Sequence, residues 1–303
     1  MLDPAIYRLV REQDFLLRSA LDLRAYVWGS LEVYADAVRE RMSAYHSKYD
    51  LLHWLTFWTE PERLASPFTD KPDYEALRAR SRVVHQDVLA SVFTTPVTEP
   101  EKHAGYDIWN AIDGHVVGTQ CDDVSVVLDF GSGYGRLGAV FADPSRNGTY
   151  ISVDCMEASY LLQNLFLSTS APGRFFEYVD YAFERRPFVV ERGGAGTIHH
   201  LPTWRLDLVP DAFVDAIVSV FVLPEINEFA LLDFVSHARR VVRDGGYIYI
   251  RDHLYHVGED NHPGGHRLDT VALLEDAGFR RIYQGDYQDN VEIYGIPRVY
   301  QKV

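Results

Sequence analysis

Glycine recurs at every second position of one loop, at Gly131, Gly133 and Gly135, directly after an apolar run that reaches Asp129. Only glycine takes positive φ without a steric penalty, so this spacing suits a sharp turn from a strand into a helix. Glycine also lets backbone approach a ligand closely. A second acid, Asp154, follows Gly133 by 21 residues. Strand, glycine loop, helix, strand and acid is the order that places a carboxylate beside a bound ribose, so these residues predict a site for a nucleoside cofactor.

The loop departs from the dinucleotide-binding fingerprint at one position. That fingerprint has its third small residue where this chain carries Arg136. The departure disfavours NAD and favours a different nucleoside cofactor. An oxidoreductase with a nicotinamide cofactor remains an alternative.

Side chains that can remove a proton follow two later strands. Open α/β sheets bind ligands at the carboxyl ends of their strands, where this chain has Asp252 and His253 after one strand and Glu225 after another. Because imidazole titrates near neutral pH, His253 is our first choice of general base. Asp252 would orient it or contact the acceptor, and Glu225 is the second choice. Against these roles stand a solvated loop position for His253 and a helix cap for Glu225. The histidines around them match no closed metal motif, so we expect no metal: His253, His256, His262 and His266.

The elements that position these residues alternate between strand and helix from about residue 124 onward, which is typical of a parallel sheet. The pattern predicts five strands and a closing pair, seven in all. They lie near residues 124–129, 149–153, 197–201, 216–221, 247–250, 279–284 and 292–301. Residues 1–117 are helical in pattern, so we expect a helical N-terminal domain over 1–117 and an α/β domain over 118–303.

The composition of the chain disfavours two classes of binding partner. The chain has 303 residues and a net charge of −15, which repels phosphate backbones and anionic membrane surfaces. We therefore expect neither nucleic acid nor a membrane as a partner. Two cysteines and the lack of a basic segment followed by an apolar one favour a cytoplasmic protein. A homo-oligomer is allowed by the sequence.

Together these motifs resemble the class I, Rossmann-like methyltransferases that depend on S-adenosylmethionine. Residues 128–135 are similar to their first motif, and Val153 with Asp154 to their second. Residues 211–218 look like the lead-in to their fourth strand, and residues 279–303 like their terminal strand pair. The resemblance covers about residues 120–303. It implies a mostly parallel seven-stranded sheet with helices on both faces, and S-adenosyl-L-methionine as the cofactor.

Carried onto this chain, the resemblance implies roles for particular residues. Residues 131–133 would pass close to the methionine end of the cofactor, whose amino group Asp129 would favour. Asp154 would hold the ribose, with the two following residues beside the adenine. The class often has an acid after its third strand that binds the adenine amino group, but here Thr203 stands at that position, followed by Trp204, which would stack on the purine. The implied cofactor-binding residues are Asp129, Phe130, Gly131, Ser132, Gly133, Tyr134, Gly135, Asp154, Cys155, Met156, Thr203, Trp204 and Phe221.

A narrower resemblance points to the acceptor. Residues 201–211, 221–225 and 290–298 look like those of a bacterial group of sugar O-methyltransferases. This likeness implies methyl transfer to a hydroxyl of a small molecule such as a sugar, with the helical N-terminal half as a lid. Such an enzyme must align the acceptor oxygen with the sulfonium methyl, exclude water and supply a base. An acceptor nitrogen or carbon, and a non-catalytic cofactor-binding protein, remain alternatives.

Overall fold

One mixed sheet of eight strands forms the centre of the protein. The computed structural model describes residues 1–17, 44–56, 71–95, 97, 106–144, 148–192, 194, 196–252, 267–285 and 295–303. In chain order the strands are β1 Val126–Phe130, β2 Thr149–Asp154, β3 Phe175–Glu177, β4 Thr197–Pro202, β5 Val214–Val220, β6 Val242–Asp252, β7 Phe279–Gln284 and β8 Ile296–Lys302. Their order in the sheet is β3-β4-β2-β1-β5-β6-β8-β7.

The strand pairing places a switch point at β1. This strand runs parallel to β2 on one side and to β5 on the other, with Leu128 opposite Ile151 and Ile217. Chain connections therefore diverge at its carboxyl end, which is where open α/β sheets bind ligands. Only β8 runs antiparallel to its two neighbours, β6 and β7, among the strands described.

The predicted fold class is confirmed, with one more strand than the seven predicted. All seven predicted strands are present, and the closing pair is an antiparallel hairpin. The additional strand is β3, which extends the sheet beyond β4. It has three residues, too few for a hydrophobic period to show in the sequence.

Helices cover both faces of the sheet. They are α1 Pro4–Leu17, α2 Asp50–Thr56, α3 Pro72–Val92, α4 Tyr106–Gln120, α5 Gly138–Phe141, α6 Glu157–Ser170, α7 Tyr178–Phe183, α8 Glu228–Val241 and α9 Thr270–Asp276, with a 3₁₀ helix over Thr203–Leu208. One core contains Leu128 and Ile248 of the sheet with side chains of α1 and α8. The other contains Val127 and Val218 with side chains of α3 and α4. The strands are therefore buried on both faces, as parallel strands require.

The first helix begins at a proline that an acidic residue precedes. Pro4 is its first residue, and the Asp3 carboxylate accepts a hydrogen bond from the backbone N–H of Ala5 at 2.8 Å. The continuation of the predicted helix beyond Leu17 lies outside the described residues. The domain division at residue 117 stays a prediction, and α4 runs through that position. No helix in the described ranges is both long enough and apolar enough to cross a bilayer.

Candidate functional site

The three loop glycines all have positive φ, but only one of them faces open space. A Cβ at Gly131 would lie 2.4 Å from Val222 Cγ2, and a Cβ at Gly135 would lie 2.9 Å from Leu167 Cγ. A Cβ at Gly133, where φ is +60°, would have no atom of the described chain within 4 Å. Gly131 and Gly135 therefore allow neighbouring side chains to pack closely against the loop. At Gly133 the missing side chain leaves room for a ligand to contact the backbone.

Asp154, the last residue of β2, ties the glycine loop to the helix that follows. Its buried carboxylate accepts hydrogen bonds from the backbone N–H groups of Met156 at 2.9 Å and Gly133 at 3.2 Å, and from Gln163 Nε2 at 3.2 Å. Burial raises the pKa of Asp154 to about 6, although the backbone hydrogen bonds lower it. The carboxylate thus caps a turn and also lies directly beside the open backbone of Gly133.

Asp129, in β1 just before the glycine loop, is also buried. Its carboxylate accepts a hydrogen bond from the Tyr150 hydroxyl at 2.5 Å. Burial raises the pKa of Asp129 to about 7, while the hydrogen bond from Tyr150 and the charge of Arg136 lower it. A cationic group bound next to Asp129 would favour its ionised form.

A hydrogen-bonded cluster supports the loop from the β2 side. The Ser132 and Ser152 hydroxyls are 2.6 Å apart, and Ser152 donates to Gln163 Oε1 at 2.9 Å. Gln163 in turn donates from Nε2 to the carbonyl oxygen of Gly133 at 2.8 Å. The amide of Gln163 therefore fixes the orientation of the open residue of the loop.

The same cluster continues to the edge of the sheet. His200 Nε2 donates to Gln163 Oε1 at 3.0 Å, and His200 Nδ1 lies 2.5 Å from a carboxylate oxygen of Glu177. Tyr160 and Asn164 also donate to Glu177. Burial would raise the pKa of Glu177, but the charge and hydrogen bond of His200 outweigh it, so this pKa is lowered. Both ring nitrogens of His200 therefore lie within hydrogen-bond distance of side-chain oxygens, one of which belongs to the Glu177 carboxylate.

A charged cluster supports the loop from the opposite side. Asp113 of α4 accepts hydrogen bonds from Arg136 Nη2 at 2.8 Å, Arg251 Nε at 2.6 Å and the Tyr249 hydroxyl at 2.6 Å. Arg136 Nη1 also donates to Asn110 Oδ1 at 2.6 Å. Burial would raise the pKa of Asp113, but the two guanidinium groups outweigh it and lower this pKa. Two cations thus share one buried carboxylate. Sequence reasoning missed this cluster, because its members lie far apart in the chain.

An aromatic wall surrounds the second of these arginines. The guanidinium carbon of Arg251, which is fully buried, lies 4.9 Å from the Trp109 ring centroid and 5.2 Å from that of Phe221. Phe221 directly follows β5 with φ +57°, a left-handed conformation that is strained for a bulky residue, and its N–H donates to the carbonyl oxygen of Arg251 at 2.9 Å. The wall therefore stands at the carboxyl ends of β5 and β6.

The three predicted catalytic residues fall in different places. Asp252 ends β6, is buried and accepts a hydrogen bond from Arg298 Nη1 at 3.0 Å. Burial raises the pKa of Asp252 to about 6, although Arg298 lowers it. Glu225 is half-buried between β5 and α8, and the side chain that caps α8 is that of Asn227. His253 lies outside the described residues, as do the histidines at 256, 262 and 266.

The remaining predicted cofactor residues are all buried, and their cofactor roles stay predictions. Cys155 and Met156 follow β2, and Thr203 and Trp204 follow β4. We call these four residues, with Asp154, the nucleoside corner, after the role predicted for them. Phe130 and Tyr134 are core side chains, as are Cys155, Met156 and Trp204. The Phe130 ring packs 4.6 Å from that of Phe234, and the Tyr134 hydroxyl lies 2.8 Å from His85 Nε2.

No protein-family model and no curated protein matches the chain. Among solved structures, the chain is similar to the pyocyanin biosynthetic protein PhzM, at 16% identity and a TM-score of 0.45, over 84% of this chain and 71% of that one. An O-methyltransferase family protein from Burkholderia thailandensis matches at 12% identity and a TM-score of 0.43, over 76% and 70%. A TehB-like SAM-dependent methyltransferase from Corynebacterium glutamicum matches at 13% identity and a TM-score of 0.42, over 63% and 87%. Similarity at this level does not assign a chemistry to the chain.

Proposed function

We propose that this protein is an S-adenosylmethionine-dependent methyltransferase that binds its cofactor at the carboxyl end of β1. The observation that carries the proposal is the open, positive-φ backbone of Gly133 beside the buried carboxylate of Asp154, at the switch point of a mostly parallel sheet. A nucleoside laid across this edge would meet exposed backbone first and then a carboxylate that accepts from ribose hydroxyls.

The residues present fit the charge of this cofactor as well as its sugar. The methionine end carries an ammonium group. Asp129, two residues before the first loop glycine, is a buried carboxylate that would pair with this group. The nucleoside corner supplies apolar and aromatic side chains for the adenine, with Trp204 as the flat surface. Asp154 would exchange one of its present donors for a ribose hydroxyl.

When bound, the cofactor supplies a methyl group that its sulfonium already activates for transfer. The chain must then hold the acceptor in line, keep water out and take up a proton. We assign these tasks to the ends of β5 and β6, where the Trp109 and Phe221 rings form an apolar face. Asp252, with its pKa raised to about 6 by burial, and His253 next to it are the proposed acid–base groups, with Glu225 as the second choice.

The acceptor we propose is a hydroxyl of a small molecule such as a sugar. Aromatic rings pack well against the apolar faces of sugar rings, and the Trp109 and Phe221 rings support this proposal. Incubating the protein with labelled S-adenosylmethionine and a panel of hydroxylated compounds tests the reaction. Mass spectrometry would locate the added methyl on oxygen, and a product methylated on nitrogen or carbon would replace this acceptor assignment.

Cofactor binding itself can be tested with a matched pair of glycine variants. Gly133 and Gly173 both have positive φ, and neither has a described atom within 4 Å of an added Cβ. Alanine at either position adds backbone strain of about 1–2 kcal/mol. We expect Gly133→Ala to weaken S-adenosylhomocysteine binding at least about tenfold by calorimetry, because the methyl group occupies ligand space. Gly173→Ala should bind as the wild type does. Equal affinities in both variants would remove the site, and binding of NAD alone would support the oxidoreductase alternative.

A further inference from the structure

One buried hydroxyl in the described chain has no hydrogen-bond partner in a place where a partner is expected. The side chain of Tyr7, in α1, is 0% exposed, and its hydroxyl oxygen is bonded to no group in the part of the chain described here. Buried polar atoms in native proteins are nearly always paired, because leaving one unpaired costs the full desolvation of the group. The Tyr7 hydroxyl therefore keeps its hydrogen-bonding capacity for a bound group.

The helix that carries Tyr7 is fixed to the nucleoside corner by polar contacts at both ends. Near its start, Arg8 donates to Glu157, three residues beyond Asp154, at 2.6 Å. Near its end, Asp14 accepts from Trp204 Nε1 at 3.1 Å. Because one anchor follows β2 and the other follows β4, α1 lies across the two strands that frame the adenine and ribose positions.

The surroundings of Tyr7 match this position. Its ring centroid lies 4.9 Å from that of Tyr160 and 6.4 Å from that of Trp204. Burial raises the pKa of Tyr7 well above its ordinary value; the charge of Arg11 lowers this pKa, whereas the charges of Glu157 and Asp154 raise it. The hydroxyl is thus within electrostatic range of the end of β2 and stays protonated, as a hydrogen-bond donor.

We propose that the Tyr7 hydroxyl donates a hydrogen bond to the nucleoside half of the cofactor, so that α1 forms one wall of the cofactor site. This inference depends on the proposed function. It supplies a donor on the α1 side of the corner, where Asp154 offers acceptor oxygens, and the ribose ring oxygen and the adenine ring nitrogens are acceptors that need a donor. It also makes the N-terminal segment part of cofactor recognition rather than of acceptor recognition alone.

The test is to remove the hydroxyl and nothing else. Calorimetry of S-adenosylhomocysteine and of adenosine would compare the wild type, Tyr7→Phe and the control Tyr300→Phe, which alters a buried tyrosine of β8. We expect Tyr7→Phe to weaken both ligands by the same factor, about three- to tenfold, as the loss of one hydrogen bond requires. Tyr300→Phe should leave both affinities unchanged.

Thermal unfolding without ligand separates this role from a structural one. Because Tyr7→Phe removes an unpaired buried hydroxyl, its unfolding midpoint should be no lower than that of the wild type. An affinity that is unchanged in Tyr7→Phe would overturn the inference, and so would a higher affinity, which would mean that the side chain blocks the corner. Failure of the wild type to bind either ligand would instead remove the proposed function itself, and the inference with it.

Discussion

The two buried polar clusters on either side of the glycine loop hold it by different means. On the β2 side, Gln163 and His200 connect the carbonyl oxygen of Gly133 to Glu177 through neutral and charge-assisted hydrogen bonds. On the β6 side, Arg136 of the loop shares the Asp113 carboxylate with Arg251, so this cluster has an excess of positive charge. The first cluster orients a backbone group that faces the site, whereas the second anchors the loop to α4 and β6.

This difference predicts which substitutions should lower stability and which should weaken ligand binding. Removing a buried carboxylate that two buried cations share weakens the compensation of their charge, which costs far more than a lost hydrogen bond. Removing a member of the neutral part of the β2-side cluster costs less, but it disturbs the residue that a ligand would contact. Variants of the two clusters should therefore separate stability from affinity.

The largest effect is expected in the charged cluster. Asp113→Asn keeps the size of the side chain but removes the buried carboxylate that Arg136 and Arg251 share, and it should lower the free energy of unfolding by about 3–5 kcal/mol. Denaturant titration would measure this loss. A loss below about 1 kcal/mol would mean that the two guanidinium groups are solvated or otherwise neutralised, and the contrast between the clusters would fail.

A smaller loss of stability, joined to a loss of affinity, is expected in the β2-side cluster. Gln163→Leu removes the donor to Gly133 and should cost about 1–3 kcal/mol in the free energy of unfolding. It should also weaken S-adenosylhomocysteine binding by calorimetry, because the loop backbone is released. Asn227→Ala, which removes the cap of α8, should cost about 1 kcal/mol and leave affinity intact. Affinity that drops equally in both variants would show that general stability, not the loop, sets binding.

The smallest expected effect is the pH dependence of cofactor affinity, which we attribute to the ionisation of Asp129. Its pKa in the free protein is raised to about 7, so cation binding must first ionise it below that pH. The affinity of the wild type for S-adenosylhomocysteine should therefore fall about tenfold between pH 8 and pH 6. Asp129→Asn should bind more weakly at pH 8 and change little over this range. An equally steep fall in Asp129→Asn would assign the pH dependence to another group, with Asp154 the first to examine.

The same group affects folding in the opposite sense. Because the pKa of Asp129 is higher in the folded protein than its ordinary value, the neutral acid stabilises the fold at low pH. That contribution is lost as pH rises from about 4 through about 7. The unfolding free energy of the wild type should therefore fall relative to that of Asp129→Asn as pH rises through this range.

The sequence was sufficient for the parts of the site that are local in the chain. The glycine loop and the acid that ends β2 lie within one βαβ unit, so their spacing alone predicted their meeting. The two clusters pair residues far apart, with 138 positions between Asp113 and Arg251, and no periodic pattern reports such a contact. The position of Tyr7 was equally hidden, because an aromatic residue on the buried face of a helix is ordinarily core. The role of His253 stays a prediction.

Cys155 gives the first helix a built-in chemical reporter. This thiol is buried next to Tyr7, while the other cysteine, Cys121, is buried just after α4 in the opposite core. Because Cys155 lies in the same core as the buried side chains of α1, we expect a thiol reagent to label it faster when α1 moves away from the sheet, whereas Cys121 supplies an internal reference in the same molecule. The ratio of the two labelling rates therefore measures how often α1 moves away from the sheet, and it can be determined without knowing the substrate.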